Sequence, residues 1–296
     1  MGVNFTINYM CITDYIYDEK RRHLLNDLTR LTFGFDFEEW VTKGYSDSFY
    51  VPFSYVSCGR MISNVSANYM HFYVNGEKKR YLQLGTVMTR EIYRNRGLAS
   101  SLIKKILYEE AYRFSGVYLF GNDSAVEFYK HLGFKEGKEF RYSINCKGKG
   151  KGTSDFVKLP KGDIDAKLRY MDFLMDTYPN SALALRNFGL KTFWTRSLDT
   201  IYYSKRLDCY ISMVREGDIV YLNDVSAKKK VKVINIIKNM DPEVSKVILG
   251  FTPVVDEMKY YEVEEYHKED THLLYLDNAL DFIEENKFMF PVYSHA

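Results

Sequence analysis

Two short runs in this 296-residue chain hold residue types arranged for chemistry. The first is Leu84-Gly85-Thr86-Val87-Met88-Thr89-Arg90-Glu91-Ile92-Tyr93-Arg94-Asn95-Arg96-Gly97-Leu98-Ala99, an apolar strand, a short turn, then Arg-x-x-Gly-x-Ala opening an amphipathic helix. The first amides of a helix have no intrahelical acceptor, and the macrodipole adds positive potential there. Gly97 and Ala99 are small enough to let phosphate oxygens reach the amides of Arg96 through Ser101, so the turn reads as a pyrophosphate cradle. Gly-x-Gly-x-x-Gly and Gly-Lys-Ser/Thr are both absent, so it is neither a dinucleotide fingerprint nor a Walker loop. A purely structural turn would account for the motif equally well if it stood alone.

It does not stand alone. Tyr118-Leu119-Phe120-Gly121-Asn122-Asp123-Ser124-Ala125-Val126-Glu127-Phe128-Tyr129-Lys130-His131-Leu132-Gly133-Phe134 reads as strand, Asn, helix, Tyr, then Leu-Gly-Phe. Asn122 and Tyr129 are about two helical turns apart and project at similar angles. A packed core tyrosine is the alternative for Tyr129 in so aromatic a chain.

With both motifs in this order, residues 50–141 resemble the GCN5-related N-acetyltransferase (GNAT) family. The resemblance implies an α/β (α+β) fold with a mixed, mostly antiparallel twisted sheet and flanking helices. It implies acetyl-CoA as co-substrate and no metal. Arg94, Asn95, Arg96, Gly97, Leu98, Ala99 and Ser100 would hold the coenzyme pyrophosphate, and Val87, Met88 and Thr89 would pair with the pantetheine amides. Asn122 would bond the pantetheine or phosphate arm, and Tyr129 would protonate the departing thiolate. The implied reaction is direct attack by a neutral primary amine, with a backbone N–H of residues 87–89 stabilising the oxyanion. A phenol with an ordinary pKa of about 10 suits a thiolate of about 8.5.

Candidates for the base are weaker. Glu38, Glu39 and Glu91 all read as ordinary surface carboxylates. The apolar tail ending Tyr293-Ser294-His295-Ala296 offers another route, because in related multi-domain acetyltransferases the terminal carboxylate reaches the active site. On that resemblance the Ala296 carboxylate or His295 would sit near the acetyl group; a tail that merely packs is the alternative. Phe35 to Trp40 and Tyr50 to Tyr55 would suit a cationic amine, or would simply be core and surface.

These residues need elements to position them. Helical spacing of Leu24, Leu25, Leu28 and Leu31 predicts a helix over 18–31, with a short helix at 35–40. Strands are expected at 49–56, 60–74 and 80–89, with a hairpin at Asn75-Gly76. A helix over 97–112, a strand over 116–120, a helix over 123–132 and a closing strand over 138–145 follow. The Lys-Gly repeats of residues 147–152 cannot pack and mark a boundary. The division is therefore a catalytic domain over 1–146, a linker over 147–160 and a second unit over 161–296.

In the second unit, helices are expected at 166–176, 182–188, 231–240 and 276–285, and strands at 201–203, 209–215, 219–225 and 246–249. This order weakly repeats the first. Where a second cradle should stand the chain reads Val225-Ser226-Ala227-Lys228-Lys229-Lys230-Val231, without glycine. The unit therefore resembles a degenerate GNAT-like α/β domain that extends the sheet, walls the acceptor pocket or mediates dimerisation.

Composition sets the outer bounds. Lys and Arg number 41 against 39 Asp and Glu, a net charge of +2, with no basic block able to follow a phosphate backbone, so nucleic acid is not the expected partner. No apolar run approaches the roughly 18 residues of a membrane span. Four scattered cysteines and a start without a basic leader point to a cytoplasmic protein. Met1 to Thr6 fits a loose myristoylation pattern, but Val3-Phe5-Ile7 reads better as a first strand. The expected acceptor is a small-molecule or peptide amine. A non-catalytic acyl-CoA-binding regulatory module is the competing reading.

Overall fold

The computed structural model describes residues 8–146 and 154–296. The Val3-Phe5-Ile7 alternation, the Met1–Thr6 pattern and the Lys-Gly repeats lie outside them. The first half runs β1 (Met10–Thr13), α1 (Glu19–Phe33), α2 (Glu38–Thr42), β2 (Tyr50–Ser57), β3 (Arg60–Val74), β4 (Glu77–Thr89), α3 (Leu98–Glu110), β5 (Val117–Gly121), α4 (Val126–Lys130), β6 (Lys135–Gly137) and β7 (Glu139–Asn145). Helix α1 starts where Asp18 accepts from the Arg21 N–H and stops at Gly34, whose φ of 77° lets its N–H close on Arg30 O. Asn75 and Gly76, both at positive φ, turn β3 back as β4. Leu98, Leu102, Ile103 and Ile106 put one face of α3 against this sheet.

The second half runs β8 (Val157–Lys158), α5 (Ile164–Leu174), β9 (Leu183–Leu185), α6 (Phe188–Thr195), β10 (Ile201–Ser204), β11 (Cys209–Glu216), β12 (Ile219–Ala227), α7 (Val233–Lys238), β13 (Lys246–Leu249), α8 (Val255–Met258), β14 (Glu262–Tyr266), β15 (His272–Tyr275) and α9 (Asp281–Glu285). The two sheets follow one plan. The first is ordered β1-β2-β3-β4-β5-β15-β6 and the second β8-β10-β11-β12-β13-β7-β14. In each, the fourth and fifth strands are parallel and the rest antiparallel.

The halves exchange one strand. Strand β7, expected to close the first sheet, pairs with β13 and β14 in the second, while β15 from the second half fills the place between β5 and β6. Lys138 alone separates β6 from β7, too short a link for a two-residue hairpin, so the chain runs onward into the other sheet. Within residues 182–188, expected to be helical, Leu183–Leu185 instead form β9 against β3, opposite Phe72 to Val74, and Phe188 opens α6. A short buried apolar run does not by itself distinguish helix from strand, and the open edge decided the outcome. The helix expected over 276–285 is confined to α9. Beyond it, Phe288, Met289 and Phe290 are buried, and Phe290 stacks on Tyr118 of β5 at 4.4 Å between ring centroids. Among the described residues no helix is long and apolar enough to cross a membrane.

Candidate active site

The turn before α3 leaves its amides exposed. Asn95 and Gly97 are both left-handed, at φ 60° and 73°, and Gly97 is the residue from which α3 starts. Among the described residues no N–H from Asn95 to Ser100 donates to another group; the first helical bond is Ser101 N–H to Gly97 O. Arg94 is held back onto Thr89 O through Nε at 3.2 Å, and Arg96 lies over the Tyr93 ring. Unpaired amides, a helix N-terminus and two arginines make a site suited to a diphosphate.

The strand leading to this turn is open on one side. Strands β4 and β5 pair from Leu82–Val117 to Leu84–Leu119 and then part. Beyond Leu84, Thr86 and Val87 together face Val65 in a bulge, with Thr86 at φ 41°. Past Leu84 no strand pairs with residues 85–89 on the β5 side, although the carbonyls of Thr86, Met88 and Thr89 accept from Asn64, Ser63 and Arg94, so the edge has room for an extended ligand with amides. On the other side of the opening, Gly121 ends β5, and a Cβ there would stand 3.2 Å from the Tyr129 ring. The Tyr129 hydroxyl bonds to no described residue and is not sealed from solvent, while burial of the ring pushes its pKa up to about 12. Asn122 is exposed at the start of the turn into α4 and accepts from Ser124 Oγ at 3.0 Å.

The tail enters the opening between β4 and β5. His295 stacks on Phe120, 3.7 Å between centroids, and its carbonyl accepts from Trp194 Nε1 at 3.0 Å. Burial, with Lys268 second, pushes the imidazole down to about 3, so His295 is neutral. Ala296 lies against Gly85, the first residue past the last parallel pair. Next to it opens a cavity of about 230 Å³. Phe35, Phe37, Trp40 and Tyr50 wall it from the first half, and Phe193 and Trp194 from α6. Thr86 of the bulge and Ala296 share that wall. Of these residues, the aromatic segment 35–40 and Tyr50 were legible in the sequence. Asp47, Phe193 and Trp194 were not, since nothing local links position 47 to position 193.

The glutamates do not gather here. Glu38 is bound by Arg22 at 2.8 Å, which holds its carboxyl below the usual range. Glu39 faces Lys167, and Glu91 is exposed. The second sheet has no comparable cradle either. The helix in the position of α3 is α7, and its Ile234 N–H is already taken by the buried Glu257 carboxylate at 3.0 Å. In that unit the protein's own anion occupies the helix start.

A helix N-terminus with unpaired amides beside a splayed, bulged strand is a place where an anion carrying an extended arm could be held. Residues 59–136 match the family model of the acetyltransferase (GNAT) domain. That match lies within the first half of the chain, and the second sheet repeats the strand order of the first. Among solved structures, a conserved protein from Enterococcus faecalis V583 described as a probable N-acyltransferase aligns with a TM-score of 0.57 at 14% identity, over 90% of this chain and 72% of that one. Eis1 from Mycobacterium abscessus gives 0.55 at 13% identity, over 90% and 73%. A GCN5-related N-acetyltransferase from Kribbella flavida gives 0.54 at 12%, over 90% and 71%. These likenesses establish the fold across both units. A search of curated proteins found no match to the sequence.

Proposed function

We propose that this chain is an N-acetyltransferase that moves acetyl from acetyl-CoA to a primary amine by direct attack in a ternary complex. The observation that carries the reading is the run of unpaired amides from Asn95 to Ser100, next to a strand edge left open from Gly85 to Thr89. Arg94 to Ser100 grip the pyrophosphate, and the edge at Val87 to Thr89 holds the pantetheine amides of the co-substrate. A backbone N–H at the bulge receives the developing oxyanion. Asn122 bonds the pantetheine arm.

As the new C–N bond forms and the C–S bond breaks, the phenol of Tyr129 gives its proton to sulfur. The amine proton passes to the α-carboxylate of Ala296, which this reading takes as the base because Ala296 shares a wall with the bulge residue Thr86. The half-buried, neutral His295, stacked on Phe120, supplies no charge. The second unit contributes α6 to the acceptor cavity. Acetyl-CoA as donor and free thiols at Cys11 and Cys58 fit the cytoplasm.

The test is calorimetry with acetyl-CoA, followed by thiol release over a panel of amines. Binding with thiol release dependent on an amine is expected. Binding with no release from any amine would make the chain a coenzyme sensor, and no binding would end the reading.

A further inference from the structure

The cavity beside the bulge has a chemistry of its own. Its rings form a connected set: Phe37 lies 4.8 Å from Tyr50 and 5.9 Å from Trp40, and Trp40 meets Phe193 edge-on at 6.0 Å. Its polar walls are spent on the protein. Asn187 accepts from His71 N–H and donates to Tyr69 O, both at 2.8 Å. The Tyr50 hydroxyl bonds Thr86 Oγ1 at 3.0 Å, and Thr86 donates to Ser66 Oγ at 2.7 Å. Asn68 donates to Gln83 O at 3.2 Å.

One acidic side chain lines the cavity, Asp47. Asp47 accepts from Gly189 N–H at 2.6 Å and from Phe49 N–H at 3.2 Å, and no cationic side chain pairs with it among the described residues. Burial raises its pKa, so a cation beside it would relieve a desolvated carboxylate. A substrate bearing many hydroxyls would find few open donors or acceptors here. A flat apolar body would find ring faces, and an ammonium would find both π-faces and Asp47.

We infer that the acceptor is a primary amine carried on a ring-bearing apolar body, with Asp47 as its recognition anion. This rests on the N-acetyltransferase reading. Asp47 draws the ammonium form in and the rings hold the body; the ammonium gives its first proton to solvent before attack, and the second passes to the Ala296 carboxylate as the C–N bond forms.

Trp40 and Trp194, the two tryptophans of the chain, both line this cavity, so intrinsic fluorescence reports on it without turnover. The whole chain is titrated with phenethylamine, 2-phenylethanol, butylamine and spermidine. Phenethylamine should shift the emission with a Kd at least about tenfold below butylamine and spermidine, and about threefold or more below 2-phenylethanol. Asp47→Asn should abolish the preference for phenethylamine over the alcohol while leaving alcohol binding in place. Should Asp47→Asn fail to fold, the wild-type comparison of amine with alcohol decides alone. Equal or tighter binding of spermidine or butylamine, no shift with phenethylamine, or an unchanged preference in Asp47→Asn would each overturn the inference. Acetyl-CoA calorimetry on the same preparation separates the two readings. Coenzyme binding without ring selectivity sinks the acceptor class alone, whereas no coenzyme binding sinks both.

Discussion

Ala296 touches Gly85. The backbone oxygen of Ala296 lies 2.6 Å, and its carbonyl carbon 2.9 Å, from where a Cβ on Gly85 would stand. Glycine inside a strand often marks a site where another backbone approaches closely, and here the approaching backbone comes from the far end of the chain. The contact joins the tail of the second half to the first residue of the open β4 edge. The Trp194–His295 bond and the His295–Phe120 stack hold it from both sides.

Gly85→Ala should therefore displace Ala296 without disturbing the cradle ten residues away. The same Cβ would stand 2.7 Å from Asn68 Nδ2, so relief takes movement of Ala296 as well as of the Asn68 side chain. If Ala296 carries the base, kcat falls by about 10²-fold, the cost of misplacing a reacting group by about 1 Å. The acetyl-CoA Kd stays within about twofold. A single glycine appended after Ala296 should act the same way, by moving the carboxylate away from the bulge. Steady-state kinetics beside calorimetry checks both, and undiminished kcat in either variant would remove Ala296 from the chemistry.

Tyr129→Phe keeps the ring packed against Gly121 and Phe134 and removes the proton. Turnover should drop about 10²-fold or more with coenzyme binding retained. The phenol pKa, pushed up to about 12 by burial, also fixes a pH signature. The proton is present below about 12 and lost as pH rises through it, so Tyr129 causes no decline in kcat below about pH 10. A profile in which Tyr129→Phe abolishes a high-pH limb near neutrality would contradict this.

Much of the first unit was legible because its signals are local. The stripe of α3, the Asn75-Gly76 hairpin and the Arg94–Ala99 turn each depend on residues close in sequence. The exchange of β7 and β15 was not legible, because it depends on one missing loop residue beside Lys138 and on which sheet has a vacancy. Strand β14, Glu262-Val263-Glu264-Glu265-Tyr266, has little apolar alternation to announce it, since most of it is exposed at the sheet edge. The cavity was half legible: the 35–40 segment suggested affinity for an amine, while Asp47, Phe193 and Trp194 reach it through the packing of α6 on the first unit.

One coenzyme should bind per chain. Gly97→Val places a β-branched residue at φ 73°, a conformation costing roughly 1–2 kcal/mol even before the amides shift, and should weaken acetyl-CoA by at least about tenfold. In the second unit, Glu257→Ala frees the start of α7 by removing its buried acceptor. Stability should fall by about 1–3 kcal/mol, with binding still at one equivalent. Calorimetric stoichiometry and urea denaturation check the pair, and a second equivalent in either protein would show that α7 also holds coenzyme.

Glu139 gives the fold a pH dependence of its own. It opens β7, is 8% exposed, and its Oε1 accepts from Phe290 N–H at 2.7 Å, tying the exchanged strand to the tail. Burial pushes its pKa up to about 7, against lowering by the Phe290 bond and by Lys268. The folded state thus holds this proton more tightly than the unfolded chain does. Its contribution is complete below about pH 4.5 and is lost as pH rises through about 7, a difference of order 3 kcal/mol. Glu139→Gln keeps an acceptor for Phe290 and has no proton to lose. The variant and the parent should be nearly equal in urea denaturation at about pH 5, and the variant should be the more stable by about 2–3 kcal/mol at about pH 8.5. A gap that does not change with pH would mean that Glu139 titrates alike in the folded and unfolded chain.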